Sequence, residues 1–312
     1  HCRSTERVPV MTHRNFLHAY DLSATELSSV LALAQAPIAT LGRPLEGKGV
    51  ALIFEKPSNR TRHSMEMAVV QLGGHPVYTR GEEVGIDVRE SVEDITQVMS
   101  GYHAMLCARV FDHRVLHRMA AVSSVPVVNM LSDFAHPLQA VADVLTMQQN
   151  LGELSGKTVT YVGDFNNVAR SLCEASAMLG MHIRLGCPEG YDAKDNELLG
   201  LTKLGAASVE QYRDIAIAVT GAHAVHTDTW TSMGQESESA EREAVFTGFE
   251  VTNEIMSLAD SKAIFMHCLP AHRGQEVSPS VIDGPQSKIY QQAHNRMHAA
   301  RGVLAFLMGV QQ

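Results

Sequence analysis

The chain has 312 residues and an acidic balance, with 25 Lys and Arg against 34 Asp and Glu and a formal net charge of −9 at pH 7. Hydrophobic residues make up 45% and charged residues 19%, which excludes disordered and fibrous classes, and the length predicts two domains. Because no basic block offsets the acidic charge, we do not expect binding to nucleic acid or to an anionic membrane.

Short apolar runs alternate with helical stretches along the whole chain. The runs predict strands at 50–54, 104–108, 125–129, 158–162, 182–185, 224–227 and 263–267. Apolar residues at helical spacing predict helices at 64–72 and 138–151, with a last helix starting near 289. This alternation predicts an α/β fold of two doubly wound domains with parallel sheets. Ligands of such sheets bind beyond the carboxyl ends of the strands.

A polar, glycine-containing stretch at 149–156 is the predicted domain boundary. We therefore expect one domain over 11–148 and a second over 149–288, with the C-terminal helix 289–309 packing back on the first. We expect residues 1–10 to be a vector-derived remnant or a disordered extension, because a Met stands at position 11.

The cysteines and the absence of targeting signals in the sequence predict a cytoplasmic protein. The five cysteines are widely spaced with no CxxC pair, which is not a disulfide framework and fits a reducing compartment. The first 20 residues lack the apolar region of a secretory signal, and no apolar run is long enough to cross a membrane.

The segment from Glu55 to Arg62 follows the first predicted strand and opens a helix. Ser58 and Asn59 are common N-cap residues, and Arg60, Thr61 and Arg62 follow at once. Free N–H groups at a helix start bind anions, and an arginine there can grip two phosphate oxygens. The alternative is a surface loop whose arginines pair with nearby acids. The segment matches neither a Walker loop nor a dinucleotide fingerprint.

Other polar residues stand where predicted strands end or helices begin. Each has an ordinary structural explanation when taken alone, such as a salt bridge or a polar turn. They are Arg109, His136 before Pro137, Asn166 with Asn167, and Asp228 with Ser232. The carboxylate of Asp228 and the hydroxyl of Ser232 together suit an ammonium and an α-amino group.

The segment from His267 to His272 contains two histidines and a cysteine. A zinc site is not favoured, because no fourth ligand has conventional spacing and Cys268 has no cysteine nearby. A thiol at a strand end followed by Pro270 is more typical of a shaped active-site loop. Arg296 lies in the last helix, from which its guanidinium could turn back toward the same crevice.

Taken together and in this order, these segments resemble the aspartate/ornithine transcarbamylase family, from about Asn15 to Met308. Asp228 with residues 232–234, and His267 to Pro270, resemble the ornithine branch of that family. The resemblance implies transfer of a carbamoyl group from carbamoyl phosphate to the δ-amine of L-ornithine through a tetrahedral intermediate, giving L-citrulline and phosphate. It implies no metal and no organic cofactor, and it is compatible with both arginine biosynthesis and arginine breakdown.

The resemblance also implies roles for individual residues. Arg109, His136, Asp228 and Cys268 would be catalytic, and ornithine would be held by Asn167, Asp228, Ser232 and Met233. Carbamoyl phosphate would be bound by the segment at the first helix start and by residues from later loops. This second set is Ser58, Asn59, Arg60, Thr61, Arg109, His136, Gln139, Cys268, Leu269 and Arg296.

The family resemblance further implies a homotrimer or an assembly of trimers, with 11–148 as the carbamoyl-phosphate domain and 149–288 as the ornithine domain. Two departures from the family pattern are present. Asn59 replaces a threonine, and the 82–90 loop lacks the glutamine that contacts carbamoyl phosphate in relatives. We make no site assignment for that loop.

Three other functions have weaker support in the sequence. A related enzyme could use another amine, such as putrescine or an N-acylated ornithine, but the Asp228, Ser232 and Met233 set fits a free amino acid end. A binding or regulatory protein that lost turnover is supported only by Asn59 and the missing glutamine. An NAD dehydrogenase lacks its glycine fingerprint.

Overall fold

Two parallel β-sheets organise the protein, whose computed structural model describes residues 13–231 and 236–311. The predicted α/β class with two parallel sheets is confirmed. Residues 1–10, expected to be a remnant or an extension, lie outside the described residues, as do Ser232 and Met233. The first sheet has the strand order β2-β1-β3-β4 and the second has the order β7-β6-β5-β8-β9.

Every strand pairing between these elements is parallel. The strands of the first sheet are β1 (Gly49–Phe54), β2 (His75–Arg80), β3 (His103–Arg109) and β4 (Val127–Leu131). Those of the second are β5 (Thr158–Val162), β6 (His182–Gly186), β7 (Ser208–Tyr212), β8 (Ala224–Thr227) and β9 (Ile264–His267). In each sheet, successive strands are added first on one side of the initial strand and then on its other side. The strand order therefore switches between β1 and β3 in the first sheet and between β5 and β8 in the second. Ligands bind at such switch points in open α/β sheets.

The helices connect these strands and cover the sheets. In the first half they are α1 (Ala24–Gln35), α2 (Asn59–Gln71), α3 (Gly81–Val84), α4 (Val92–Tyr102), α5 (His113–Val122) and α6 (Pro137–Leu151). In the second half they are α7 (Asn167–Met178), α8 (Asp195–Leu204), α9 (Ile215–Val219), α10 (Ser239–Val245), α11 (Asn253–Ser257), α12 (Pro279–Ile282) and α13 (Ile289–Leu307). Short 3₁₀ turns occupy Ala19–Asp21, Ile38–Leu41 and Glu236–Glu238.

The C-terminal helix α13 packs on α1, α2 and α6, which all precede the second sheet in the chain. The approach to α1 is very close at Gly302, where an added Cβ would lie 2.6 Å from the main-chain oxygen of Val30. Only glycine permits that contact. The packing places Arg296 of α13 beside the start of α2, although the two segments are more than 200 residues apart in sequence.

Three differences from the predicted elements have physical causes. Strands β2 and β7 were not predicted, because both are partly exposed sheet edges with polar residues, and β2 contains a proline at position 76. Strand β4 begins at Val127 rather than at residue 125, since Pro126 has no N–H to donate. Helix α2 begins at Asn59 rather than at residue 64, because the polar segment before its apolar face is already helical.

None of the helices in the described ranges has the length and apolar character that a membrane crossing requires. Within the same ranges, the cysteines are free and buried, namely Cys107, Cys173, Cys187 and Cys268.

The carboxyl group of Glu174, buried in α7, predicts a pH-dependent stability. Burial raises its pKa from 4.5 to about 8. A carboxyl whose pKa is raised on folding stabilises the fold at low pH, and this contribution is lost as pH rises through the folded value. We expect Glu174→Gln to reduce the loss of unfolding free energy between about pH 5 and about pH 8 in urea titrations. The exposed Glu243→Gln variant should keep the wild-type slope, and equal slopes for Glu174→Gln and wild type would contradict the assignment.

Candidate active site

One open cleft of about 1700 Å³ lies at the carboxyl ends of both sheets. Most of the residues singled out in the sequence line it, and they come from loops after β1, β3, β4, β5, β8 and β9 and from α13. Those lining residues are Ser58, Arg60, Arg109, His136, Gln139, Asn167, Asp228, Cys268, Leu269 and Arg296. The structure therefore brings together side chains that the sequence spreads over nearly 240 residues.

The start of α2 forms one end of this cleft. Ser58 is the N-cap, and its hydroxyl accepts from the main-chain N–H of Thr61 at 3.4 Å. Ser58 Oγ also donates to Thr61 Oγ1 at 3.1 Å. The first N–H groups of a helix have no partner within the helix, and they carry its positive dipole end. This end of the cleft therefore favours an anion.

Three arginines gather at the same point. Arg109 Nη1 and Arg296 Nη2 both donate to Thr61 Oγ1, at 3.3 and 2.7 Å. Burial, reinforced by the charges of neighbouring arginines, lowers the pKa of Arg109 and of Arg296 to about 10. Among the described residues, neither these two nor Arg60 forms an ion pair, and Nε of Arg60 and of Arg109 is buried without a partner. Buried cations without carboxylate partners are costly, so the site is built for an anionic ligand.

His136 and Gln139 lie beside the arginines at the start of α6. Burial, together with the charges of Arg296 and Arg109, lowers the pKa of His136 well below its usual value, so its imidazole is neutral. The main-chain N–H of His136 donates to Ser171 Oγ at 2.9 Å. His136 Nδ1 and Gln139 Oε1 are both buried with no hydrogen-bond partner in the described structure. These two free polar atoms can contact a neutral ligand group next to the anion.

A buried carboxyl that sequence reasoning missed orients Gln139. Asp143 Oδ1 accepts from Gln139 Nε2 at 2.8 Å and from Gln292 Nε2 at 2.7 Å. Burial raises the pKa of Asp143 to about 7. The available signal was the four-residue spacing on α6, which puts Gln139 and Asp143 on one helix face. Asp143 is a positioning residue, because it fixes the side chain of Gln139.

Asp228 lines another part of the cleft, directly after the end of β8. Its carboxylate accepts from Cys268 Sγ at 3.1 Å, from Asn166 Nδ2 at 3.0 Å and from the N–H of Thr229 at 2.8 Å. Burial, followed by the charge of Asp228, raises the pKa of the Cys268 thiol well above its usual value. Cys268 is therefore a protonated hydrogen-bond donor rather than a thiolate nucleophile.

Asn167 and Leu269 border the same region. Asn167 Nδ2 donates to the main-chain oxygen of Ser132 at 2.7 Å, which ties the start of α7 to the loop after β4. Leu269 has a φ of 61°, a left-handed conformation that is uncommon for a residue with a branched side chain. Such conformations are concentrated at functional sites.

The cluster of Asp228, His267 and Cys268 does not suit a metal ion. One possible ligand atom from each lies within 4.8 Å of the others. However, His267 Nδ1 accepts from the N–H of Leu269 at 2.9 Å, so its Nε2 carries the proton that it donates to Glu276 Oε1 at 3.0 Å. Neither nitrogen of His267 keeps a lone pair for a metal. His272, the other histidine of this segment, has a half-exposed side chain beside Glu276.

Some predicted residues do not reach the cleft. The side chain of Asn59 is exposed and does not line it. Arg62, the alternative to Arg60 as an anion ligand, pairs with Glu66 at 2.8 Å and lies 3.7 Å from the ring centre of Tyr78.

The fold and cleft define a two-domain enzyme, and comparison with known proteins supplies its family. The chain matches the aspartate/ornithine carbamoyltransferase family twice, through the carbamoyl-P binding domain at residues 14–149 and the Asp/Orn binding domain at residues 155–307. Because these matches cover most of the chain, the protein belongs to this family.

Similar relatives include several ornithine carbamoyltransferases. The chain is 48% identical to an ornithine carbamoyltransferase of Hyperthermus butylicus, over 85% of each chain. It is 42% identical to an anabolic ornithine carbamoyltransferase of Pyrococcus furiosus, over 95% of this chain and 96% of that one. The solved structure of a P. furiosus ornithine carbamoyltransferase is similar, with a TM-score of 0.90 at 40% identity, covering 98% of this chain and 100% of that one.

Proposed function

We propose that this enzyme transfers the carbamoyl group of carbamoyl phosphate to the δ-amine of L-ornithine and releases L-citrulline and phosphate. One observation carries the proposal. The cleft is lined both by the cationic cluster at the start of α2, which forms no ion pair among the described residues, and by the carboxylate of Asp228. These two groups complement an acyl phosphate and a diamino acid, respectively. The names of the relatives support the same reaction.

The phosphate of the donor substrate is assigned to the start of α2. Ser58, Thr61 and the N–H groups of the first turn, including that of Asn59, would donate to its oxygens. The guanidinium of Arg60 adds charge-assisted hydrogen bonds, which are about twice as strong as neutral ones. The same donors stabilise phosphate as it leaves, so the leaving group departs without having to recruit new partners.

The carbamoyl group is assigned to the adjacent polar atoms. Arg109, Arg296 and neutral His136 surround its carbonyl oxygen, where negative charge develops in the tetrahedral intermediate. Gln139 Oε1, held toward the cleft by Asp143, would accept from the carbamoyl NH₂. Leu269 and Cys268 close this part of the site from the second sheet.

Ornithine is assigned to the part of the cleft around Asp228. Asn167, Asp228, Ser232 and Met233 would hold it, and the protonated thiol of Cys268 orients the carboxylate. The δ-amine attacks as the neutral base, because its lone pair forms the new bond to carbon. The C–N bond forms, the bond between carbon and the phosphate oxygen breaks, and the amine proton leaves by way of Asp228 or the departing phosphate.

The reaction is tested by offering carbamoyl phosphate with ornithine, N-acetylornithine, putrescine or aspartate in parallel and measuring phosphate and ureido product. We expect turnover with ornithine alone. Turnover with another amine would keep the phosphate assignment and overturn the assignments around Asp228. No turnover with any of the four, from folded protein, would support a protein that kept the fold and lost catalysis.

The protonation of Cys268 makes a separate prediction. Because burial raises its pKa, we expect slow alkylation by iodoacetamide near neutral pH, with a rate that keeps rising above the pH at which an ordinary exposed thiol levels off. Cys268→Ala should lower kcat by roughly tenfold, since Asp228 loses one donor. Cys268→Ser, which retains a donor, should recover most of that loss. Rapid alkylation of Cys268 at neutral pH would contradict this account.

We also propose that the domains divide at 148 and 149, with the C-terminal helix belonging to the carbamoyl-phosphate domain, and that three copies assemble into a homotrimer. The contacts of α13 with α1, α2 and α6 support the first point. Exposed apolar side chains support the second, since Val88 is 88% exposed and Phe111 is 55% exposed. Light scattering should give three times the chain mass of 34.0 kDa.

A further inference from the structure

Three histidines outside the proposed substrate contacts meet on another part of the cleft wall. His113 and His117 lie four residues apart on one face of α5, and His18 reaches them from the segment before α1. One ring nitrogen from each lies within 4.8 Å of the other two. His18 and His113 are buried and His117 is exposed, so the group is open to solvent on one side.

The distance between the two buried rings is close to that found between ligands of one metal ion. Nε2 of His18 and Nε2 of His113 are 3.1 Å apart. Two nitrogens bound to tetrahedral zinc at about 2.0–2.1 Å are separated by roughly 3.3 Å. Small ring movements would therefore place both lone pairs on a common ion. Histidines at positions i and i+4 of a helix are also a recurrent zinc-binding pair.

A hydroxyl group holds the ring of His113 from its other nitrogen. Its Nδ1 lies 2.7 Å from Ser132 Oγ, which also accepts from the N–H groups of Phe134 and Ala135 at 3.3 and 3.1 Å. In the tautomer that binds a metal, His113 Nδ1–H donates to Ser132 Oγ, the hydroxyl proton of Ser132 turns to the main-chain oxygen of Ala135 at 3.4 Å, and the Nε2 lone pair of His113 faces His18. A hydrogen bond from the second nitrogen is the usual support of a metal-bound histidine.

Aromatic rings hold His18 from the other side. The ring of Tyr20 stacks on His18 at 4.6 Å with an interplanar angle of 8°, and Phe134 meets it edge-on at 5.7 Å. The arrangement contrasts with that around His267, both of whose nitrogens are already engaged. A rigid pair of buried imidazoles and a third, exposed one form a three-nitrogen site with a fourth position toward the cleft.

We propose that His18, His113 and His117 bind one divalent transition metal ion of the zinc type, with the fourth position open to water or an anion. Neutral imidazoles favour zinc, copper, nickel and cobalt over magnesium and calcium, which prefer oxygen ligands. In the free protein, a proton lies between Nε2 of His18 and Nε2 of His113. When the ion binds, this proton moves to Nδ1 of His18, which leaves the Nε2 lone pair for the ion. Binding to this pair therefore requires no net proton release.

The test is titration of the EDTA-treated, full-length protein with Zn²⁺ by calorimetry, and with Co²⁺ by visible absorption. We expect one Zn²⁺ per chain and the intense bands of four-coordinate Co²⁺. His117→Gln should weaken binding by more than about 100-fold and abolish those bands, because it removes one of three ligands. His117 is exposed, so this variant should fold normally, which circular dichroism checks.

Two control variants separate this site from others. His294→Gln breaks another pair four residues apart, His294 and His298 on α13, and should leave the tight site unchanged. Cys268→Ser tests the cluster at the substrate site. No Zn²⁺ binding, unchanged binding in His117→Gln, or a loss confined to Cys268→Ser would each overturn the proposal. None of these readouts depends on turnover, so the result stands apart from the carbamoyl-transfer assignment.

Discussion

Replacing Arg60 by alanine is expected to lower kcat/KM for carbamoyl phosphate by about 10²–10³, the range for removing one preorganised donor from a developing negative charge. Arg60 lines the cleft, forms no ion pair among the described residues, and leaves Nε buried without a partner. Its substitution removes a cation from a cluster of cations, so the free enzyme should not lose stability. Steady-state kinetics and a thermal melt measure the two effects.

Arg62→Ala is the matched control for that experiment. Arg62 is two residues away on the same helix, but it pairs with Glu66 and stacks on Tyr78. We expect its KM for carbamoyl phosphate to stay within about threefold of wild type, since exposed ion pairs contribute little. A larger defect in Arg62→Ala than in Arg60→Ala would reassign the phosphate ligand.

Asp228→Asn is expected to lower kcat/KM for ornithine by about 10²–10³ while changing KM for carbamoyl phosphate by less than about threefold. The variant keeps the size of the side chain but removes the charge that attracts an ammonium group. It also replaces an acceptor of three hydrogen bonds, from Cys268, Asn166 and Thr229, with a group that has one acceptor oxygen. Kinetics with each substrate varied in turn separates the two constants.

Asp214→Asn provides the comparison in the same half of the chain. Asp214 caps α9 by accepting from the N–H of Ala216, and it does not line the cleft. The same loss of charge there should cost stability alone, by about 1 kcal/mol or less. If Asp228→Asn impaired both substrates equally, the defect would reflect structural damage rather than lost ornithine binding.

The fold was predictable from the sequence wherever strands are buried. Strands β1, β3, β5, β8 and β9 are runs of apolar residues, which periodicity detects. The partly exposed edge strands β2 and β7 carry no such run, because half of their side chains face solvent or the sheet margin. Sheet order also lies outside local sequence, since it depends on which strands pair across long connections.

The site was predictable to the extent that its residues follow strands. Arg109 and Asp228 stand at the carboxyl ends of β3 and β8, where parallel sheets bind ligands. The support of these residues was not predictable, because it comes from distant segments. Gln292 donates to the same carboxylate of Asp143 as Gln139 does, although it lies 149 residues from Asp143 in sequence. His18 and His113 are in contact although 95 residues separate them in sequence. The sequence shows the four-residue spacing of His113 and His117, but this pair is not among the residues that the sequence analysis singled out.

The most direct test of the account is a crystal structure with a bisubstrate analogue in which a phosphonoacetyl group is attached to the δ-nitrogen of L-ornithine. We expect the phosphonate at the start of α2, in contact with Ser58, Arg60 and Thr61, and the amino acid portion beside Asp228. The carbonyl oxygen should lie between Arg109 and His136. A reversed ligand, or a phosphonate bound away from α2, would contradict the assignment of phosphate to the start of α2 and of the amino acid to Asp228.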